Sequence, residues 1–296
     1  NGVGQLGTGV KMAGVVRVVD DYVTKQIQQE TGTFNRYETK ADSLAQLEMI
    51  FNEPSETGLS KGFSLFYSAW NYLGANPELA TAKTMVSQEA QTLTDMLSHM
   101  ANQIEGLRGD TEYAIEKDVL DFNGKVEQLD TLNKQIFNVM AKGHTPNDLL
   151  DQRDRLTTEL AGIADVEFSY DRFQQVSIKL DGKDILTQEG RQTLNVTADS
   201  QITLAESGAA VQVTNGSIKG SQEALEVIEN KMTELNQLTF TFASAVNKIH
   251  SNDGEGMNFF EVSETDAAKS LKVNKDIIAN SANVNAGKSL SDPISG

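Results

Sequence analysis

The most informative absence in this 296-residue chain is cysteine, which does not occur at all. Without cysteine there are no disulfides and no thiolate metal ligands, so a disulfide-braced scaffold and a zinc-thiolate module are both excluded. Histidine occurs only three times. Because His99, His144 and His250 lie far apart in the sequence and lack metal-ligand spacing, we interpret them as surface or helix-capping residues.

Basic residues are also scarce, with 25 Lys and Arg against 42 Asp and Glu and a formal net charge of -17. This balance opposes binding to nucleic acid or to an anionic membrane, because both are themselves negatively charged. A run of about 18 apolar residues and a charged-then-apolar leader are missing as well, so neither a membrane span nor a conventional export leader is expected in this stretch. Since the chain begins at Asn1, we expect it to be part of a longer protein.

The dominant pattern that is present runs from Pro77 to Met140, where apolar residues recur every eleven positions. Eleven residues make almost three helical turns, so each row lies nearly straight along one face of a rod about 95 Å long. The first row is Leu93, Ile104, Ile115, Val126 and Phe137; the second is Met85, Met96, Leu107, Leu129 and Met140, with Asp118 breaking it. Such a rod indicates an elongated architectural protein.

Three glycines argue against one continuous helix, since each costs about 1 kcal/mol relative to alanine. They are Gly106, Gly109 and Gly124. The alternative is a pair of helices broken at Arg108-Gly109-Asp110. The eleven-residue phase continues past this point, so we favour the continuous rod.

Other helices are predicted on both sides of the rod. A short β hairpin is expected at 10–19, followed by a helix from Tyr22 to Phe51. One side of this helix is expected to be buried, and it carries Tyr22, Val23, Ile27, Tyr37, Leu44, Leu47 and Phe51. A second helix from Leu59 to Leu73 carries an aromatic stripe that we assign to core packing. Asn76-Pro77-Glu78 marks the start of the rod and Lys142-Gly143 its end.

The segment Thr145-Pro146-Asn147-Asp148 gives the starting signal of a further helix, with Asp148 placed to reach back toward Thr145. From 166 to 213 the apolar period changes to two, which predicts about six short strands. Asp181-Gly182 and Asn215-Gly216 are the expected hairpin turns. Helix returns at Ser221 and is expected to lie back along the rod.

These patterns predict an α+β, multi-domain protein, an elongated bundle of long helices with a small inserted antiparallel β domain. The expected domains are a helical rod domain at 1–164, a small β domain at 165–220, and at 221–296 a returning helix of the rod domain followed by an irregular tail. The final stretch, 281–296, lacks periodicity.

Several short motifs match catalytic or binding patterns by letter only. Gly2-Val-Gly4-Gln-Leu-Gly7 lacks the preceding strand of a dinucleotide site, and Gly58-Leu-Ser60-Lys-Gly62 lacks the core strand of a nucleophile elbow, so Ser60 is expected at a helix start. Asn252-Asp253-Gly254-Glu255 falls short of a calcium loop, and Arg108-Gly109-Asp110 is a chance match to an adhesion tripeptide. The sequence predicts neither an enzyme nor a cofactor or metal site.

Two stretches resemble the family of bacterial flagellar hook-associated protein 1, the hook-filament junction protein. One is Phe51-Asn-Glu-Pro-Ser-Glu-Thr-Gly-Leu-Ser60, followed by the helix with Phe66 and Trp70. The other is Asn147-Asp-Leu-Leu-Asp-Gln-Arg-Asp-Arg-Leu156, the more distinctive segment. Together with the valine-rich opening and the Phe259-Phe260 pair, the resemblance covers most of the chain.

The resemblance implies a structural role, in which subunits form a ring at the distal end of the hook. It also implies export through the flagellar type III apparatus, an extracellular location on the flagellum, and contacts with the hook protein and the second junction protein. In that family the terminal segments drive self-association into the ring, and the C-terminal one is expected to bind an export chaperone. Both lie outside this chain, so we expect it to be monomeric.

Seven residues of the two stretches are the expected structural or subunit-contact positions: Asn52, Pro54, Ser55, Asn147, Asp148, Asp151 and Arg153. The first three are expected to shape a loop, and the other four either fix a helix turn or contact a neighbouring subunit. Two alternatives stay open: another flagellar axial protein, such as the hook protein or the third hook-associated protein, and a secreted adhesin-like module that binds a ligand through its β domain.

Overall fold

The computed structural model describes residues 20–51 and 58–286 of the chain. The expected hairpin at 10–19 and the expected loop residues Asn52, Pro54 and Ser55 lie outside this part. Within it, long helices alternate with short antiparallel strands, which confirms the α+β fold.

The architecture is set by one 61-residue helix, α3 (Ala80–Met140), which is about 90 Å long. It passes through Gly106 and Gly109 without interruption, so the prediction of a continuous rod is confirmed. Four residues of the first row, Leu93, Ile104, Ile115 and Val126, are at most 1% exposed. The fifth, Phe137, is 39% exposed and packs edge-on against Phe173, with ring centroids 5.0 Å apart.

The predicted start of α3 is wrong by three residues. The N–H of Leu79 donates to the carbonyl of Asn76 over 3.1 Å, which closes a turn around Pro77 and delays the helix to Ala80. Asn76 itself caps the C-terminus of the preceding helix, α2 (Leu59–Ala75). At the other end α3 stops at Met140, and Gly143 takes a φ of +80° in the following turn.

The first helix, α1 (Asp21–Phe51), begins where the Asp20 carboxylate accepts hydrogen bonds from the N–H groups of Tyr22 and Val23. The expectation that its apolar face is buried is wrong for its N-terminal half. Val23, Ile27 and Tyr37 are 46%, 52% and 58% exposed.

The face of α1 that does contact the rest of the chain is made of small and polar residues. Gln28 donates to the Thr157 hydroxyl over 3.2 Å, and a Cβ added at Gly32 would lie 2.7 Å from the Ala161 carbonyl oxygen. Because glycine lets two backbones approach closely, this contact needs no large apolar side chain. In the N-terminal half of α1 the hydrophobic pattern therefore identified the opposite face, whereas Leu47, near the end of the helix, is buried as predicted.

Helix α4 (Asn147–Ile163) follows α3 after a short turn and leads into six strands, as predicted. Strands β1 (Glu167–Tyr170), β2 (Val176–Leu180) and β3 (Lys183–Leu186) form one antiparallel sheet; β4 (Leu194–Val196), β5 (Ile202–Leu204) and β6 (Ala210–Val211) form another. Asp181 and Gly182 have positive φ, so the predicted turn between β2 and β3 is confirmed.

Helix α5 (Gly216–His250) begins five residues before the predicted position. Asn215-Gly216 is not a hairpin turn, because Asn215 is the N-cap of α5 and Gly216 its first residue. Glycine is required here: its φ is +86°, and a Cβ would clash with the carbonyl of Ile163.

The tail after α5 is not irregular over the described residues, which corrects another expectation. Strands β7 (Phe260–Glu261) and β8 (Lys272–Val273) pair, and α6 (Ala267–Ser270), α7 (Lys275–Ala279) and a short 3-10 turn at Ser281–Asn283 complete it. Phe259, Phe260 and Val284 are at most 1% exposed. The tail therefore forms part of the hydrophobic core.

Two cores lie along α3. The proximal core joins the first half of α3, from Ala82 to Leu107, to α2, the end of α1, the second half of α5 and the tail. The distal core joins its second half, from Ile115 to Ile136, to α4, both three-stranded sheets and the start of α5. The strands thus share their core with the long helix.

Candidate subunit-contact site

The α3–α4 turn and the first two turns of α4 hold the predicted motif. Helix α4 begins at Asn147, and Pro146 is its N-cap, without a side-chain capping hydrogen bond. The prediction that Asp148 reaches back to Thr145 therefore does not describe how α4 is capped. Asp148 lies instead in the first turn, where its negative charge faces the positive end of the helix dipole.

Arg153 is buried, with 4% exposure, and its guanidinium is held by residues of this chain. One guanidinium nitrogen donates to the Gln174 carbonyl over 2.9 Å, and two others donate to the Asp154 carboxylate over 2.9 and 2.6 Å. The guanidinium also lies over the Tyr170 ring, 4.6 Å from its centroid. Arg153 therefore fastens α4 to the loop between β1 and β2.

The surroundings of Arg153 also shift the pKa of Tyr170. Burial raises the pKa of its hydroxyl, and the nearby Arg153 charge opposes that shift. The phenol is therefore neutral and presents its ring face to the guanidinium, which suits a cation–π contact. This contact therefore has a structural role, since it holds α4 against the end of β1.

Asp148 and Asp151 are exposed on the outer face of α4, and Arg155 lies beside them. The motif thus divides into an inward half, Leu150 and Arg153, and an outward carboxylate half. Leu150 is 5% exposed in the distal core. Only the outward half is placed where another molecule could reach it.

Further along α4, from Asp154 to Ile163, the face that carries Arg155 lines a groove of about 770 Å³, together with α1, α3 and the start of α5. Lys125 of α3 pairs with Glu159 of α4 across 2.6 Å, and this hydrogen bond raises the pKa of Lys125. Asp118, which breaks the second apolar row, accepts a hydrogen bond from the Ser217 hydroxyl. Burial raises the pKa of Asp118.

Sequence reasoning missed three asparagines that join helices to strands. Asn133 accepts from the Val176 N–H and donates to the Val176 carbonyl, both over 2.8 Å. Asn123 makes the same pair of bonds to Leu194 over 2.9 Å, and Asn247 to Phe260 over 2.7 and 2.9 Å. We call these contacts amide clips.

The clips anchor one strand of each of the three sheets in the described part of the chain to a long helix. A primary amide has the donor and acceptor geometry of the backbone, so it can replace a neighbouring strand. The one available signal was a polar side chain at an inward position of a helix; Asn133 is 5% exposed.

The described residues contain no group of three or more acidic or histidine side chains able to hold a metal ion. Within the same part of the chain, none of the helices is long and apolar enough to span a bilayer. His99 and His144 are exposed, whereas His250, the last residue of α5, is buried. Of the two roles expected for it, on the surface or at a helix end, the surface role is therefore wrong.

A family model described as "Flagellar hook-associated protein FlgK helical domain" matches residues 44–260. Flagellar hook-associated protein 1 of Bacillus subtilis is 28% identical over 312 residues, which cover 90% of this chain and 61% of that protein. The protein of the same name from Salmonella typhimurium is 25% identical, with 88% and 50% covered. The chain therefore spans about half to three fifths of the length of these relatives.

Among solved structures, the flagellar hook junction protein FlgK from Burkholderia pseudomallei superposes with a TM-score of 0.70. The match covers 80% of this chain and 46% of that one, at 22% sequence identity. At this identity the likeness concerns the fold alone.

Proposed function

Because the chain belongs to the family of the FlgK helical domain of flagellar hook-associated proteins, we propose that it is a structural part of the bacterial flagellum, at the junction between hook and filament. The observation that carries the proposal is the family match over 44–260, which contains all of α3 and α4. The role is mechanical and needs no catalytic group.

The structure suits such a role because α3 is supported along its whole length. Three long helices run side by side, and contacts between α1 and α5 fix their spacing. Arg36 and Lys40 both pair with Glu223. Although burial by itself raises the pKa of Glu223, hydrogen bonds from these two cations bring it below its ordinary value. A braced bundle resists bending, which is what a joint between two polymers requires.

We further propose that the outward carboxylates of α4, Asp148 and Asp151, contact another subunit. This proposal is supported by the exposure of both side chains next to the fixed start of α4.

From the family membership we also propose that the whole protein is exported to the cell surface, where it contacts the hook protein and the second junction protein. The 296-residue chain by itself is monomeric at micromolar concentration. Light scattering that detects a stable ring at that concentration would contradict the last point.

The test uses a full-length protein that contains this chain, expressed in a strain that lacks its own junction protein. We expect the unaltered protein to restore swimming and filament retention. Asp148→Ala with Asp151→Ala should leave the melting temperature nearly unchanged and reduce filament retention. Arg153→Ala is the matched variant from the same helix; it should lower stability by about 3 kcal/mol, because Asp154 loses its buried partner. Failure of the unaltered protein to restore filaments would refute the junction role.

A further inference from the structure

The outer face of α1 carries an apolar stripe that nothing in the described part of the chain covers. Val23, Ile27, Phe34 and Tyr37 are 46%, 52%, 62% and 58% exposed. Their spacings of four, seven and three residues follow a heptad, the repeat that packs one helix against another. Four large side chains in such a line form a seam for a helix.

A second face that the described residues leave uncovered lies on α3. Tyr113 and Leu120 are 67% and 71% exposed and are seven residues apart, so they too share a heptad line. Three glycines flank them: Gly106, Gly109 and Gly124. A Cβ added at any of these glycines would meet nothing within 4 Å among the residues that the structure describes, so packing within that part of the chain does not require them.

The two faces match in length and shape. The α1 stripe extends about 21 Å, and the stretch of α3 from Gly106 to Gly124 about 27 Å. Bare backbone at the glycines leaves room for rings such as those of Phe34 and Tyr37. This would explain why the long helix retains residues that each cost about 1 kcal/mol in an isolated helix.

The two faces also match in charge. Glu30 lies within the α1 stripe, Lys117 lies between Tyr113 and Leu120 on α3, and both side chains are exposed. Arg36 adds no unpaired charge to the stripe, because it pairs with Glu223 of the same chain. A carboxylate on one face and an ammonium group on the other therefore suit a contact between two copies of this chain.

We propose that the α1 stripe of one subunit packs on the Tyr113–Leu120 face of α3 in a second copy of this chain. The proposal rests on the junction role and deepens it by naming the contact. Because the two faces share no residue, the contact is heterologous and can repeat around a closed ring. It is also small, below the area of about 1,200 Å² typical of stable complexes, so it forms only when subunits are concentrated.

The absence of cysteine from the chain makes cross-linking a clean test. Glu30 lies within the α1 stripe and Lys117 between Tyr113 and Leu120, and both are exposed. We expect a mixture of the Glu30→Cys and Lys117→Cys chains at about 1 mM, treated with a short bis-maleimide, to give a mixed dimer. Glu30→Cys with Lys142→Cys, an exposed residue beyond the end of α3, is the matched control.

Adding Phe34→Ser or Leu120→Ser should lower the yield of the mixed dimer about tenfold, since large apolar side chains dominate such contacts. Tyr72→Ser, at an exposed position on α2, should leave it unchanged. The melting temperatures of all three should match that of the parent chain, because the side chains are exposed. A mixed yield no higher than the Lys142 control, or Glu30→Cys joining preferentially to itself, would overturn the proposal. If that happens while the full-length protein still restores swimming, the junction role stands and only this contact fails.

Discussion

At the scale of single residues, the asparagines of the amide clips hold strands to helices by two hydrogen bonds each. Asn133 is the most buried of them, and its partner atoms belong to the backbone of Val176 at the start of β2. Val176 is itself 1% exposed, so water cannot replace a lost partner. The clip therefore joins the first sheet to α3 at a point where the loss of a hydrogen bond lowers the free energy of unfolding considerably.

Replacing Asn133 by alanine should lower the free energy of unfolding by about 2–4 kcal/mol, because a buried N–H and a buried carbonyl both lose their partners. Asn133→Asp should cost more at neutral pH, since a carboxylate oxygen would face the Val176 carbonyl. Asn138→Ala, on an exposed turn of the same helix, should change stability by less than about 0.5 kcal/mol. Urea unfolding measures all three, and equal losses for Asn133→Ala and Asn138→Ala would contradict the clip.

His250 gives the chain a pH dependence. Its Nδ1 lies 2.8 Å from the Met257 carbonyl oxygen, and its Nε2 accepts a hydrogen bond from the Asn285 N–H over 2.9 Å. These partners require a neutral ring with the proton on Nδ1. Burial, with a smaller contribution from Lys83, lowers the pKa of His250 below its ordinary value of 6.5.

Since the folded state holds this proton less tightly than the unfolded state, His250 contributes stability above about pH 6.5, and that contribution is lost as the pH falls below it. Protonation would also place an N–H of the ring against the N–H of Asn285 and release the tail. We expect the melting temperature to fall between pH 7 and pH 5, and His250→Gln to flatten that fall. His99→Gln, an exposed control, should leave the profile unchanged; a His250→Gln profile parallel to that of the parent would show that another group is responsible.

At the scale of elements, the glycines divide into two groups with opposite roles. Gly32, Gly162 and Gly220 lie where α1 meets α4 and α5, and a Cβ at each would meet a neighbouring atom within 3 Å. A Cβ at the glycines of α3 would meet no atom of residues 20–51 or 58–286 within 4 Å. The same residue type therefore sets the helix spacing in one place and weakens a helix in the other.

Gly109→Ala should raise the free energy of unfolding by about 1 kcal/mol, because alanine is the better helix former and the space is empty. Gly220→Ala should lower it by about 2 kcal/mol, since its Cβ would clash with the Arg36 carbonyl and push α1 away from α5. Thermal unfolding of the two variants beside the parent measures both. Changes of the same sign would contradict the division.

The element scale also shows why the sequence predicted α1 as a helix and assigned the wrong face of its N-terminal half to the interior. Hydrophobic spacing reports where large apolar side chains lie. In that half they point outward, whereas Leu47, near the end of α1, is buried in the proximal core. The inner face is made by Gln28, Gly32 and Asn35, which contact α4 through hydrogen bonds and close backbone approach. Periodicity carries no signal for such a contact.

At the scale of the whole molecule, one helix passes through two cores and makes them a single elongated body. The strands of the expected β domain at 165–220 pack on α3 and α4, and Ile178 and Ile202 lie in the same core as Phe122 and Leu129. The division of the chain into three domains remains a proposal. The shared core argues that the strands do not fold apart from the long helix.

The whole molecule also explains which part of the contact motif the sequence could reveal. The segment from Asn147 to Arg153 was recognisable by its letters, yet Arg153 proved to be a clamp within the chain. Nothing in the letters separates it from the exposed Asp148 and Asp151, because that distinction depends on where the β1–β2 loop lies. The loop is held near Arg153 by the packing of strands β1 and β2, which no local pattern around Arg153 reports.

What the sequence determined by itself was the long helix, its continuity, the six strands and the turn at Asp181-Gly182, because each depends on local periodicity or on a backbone preference of neighbouring residues. The tertiary structure decided the inner face of α1, the ordered tail, the amide clips and the burial of His250. Each of these joins residues distant in the sequence, for example Asn247 with Phe260 and Gly220 with Arg36. Such contacts form only when helices and strands meet, so no local pattern encodes them.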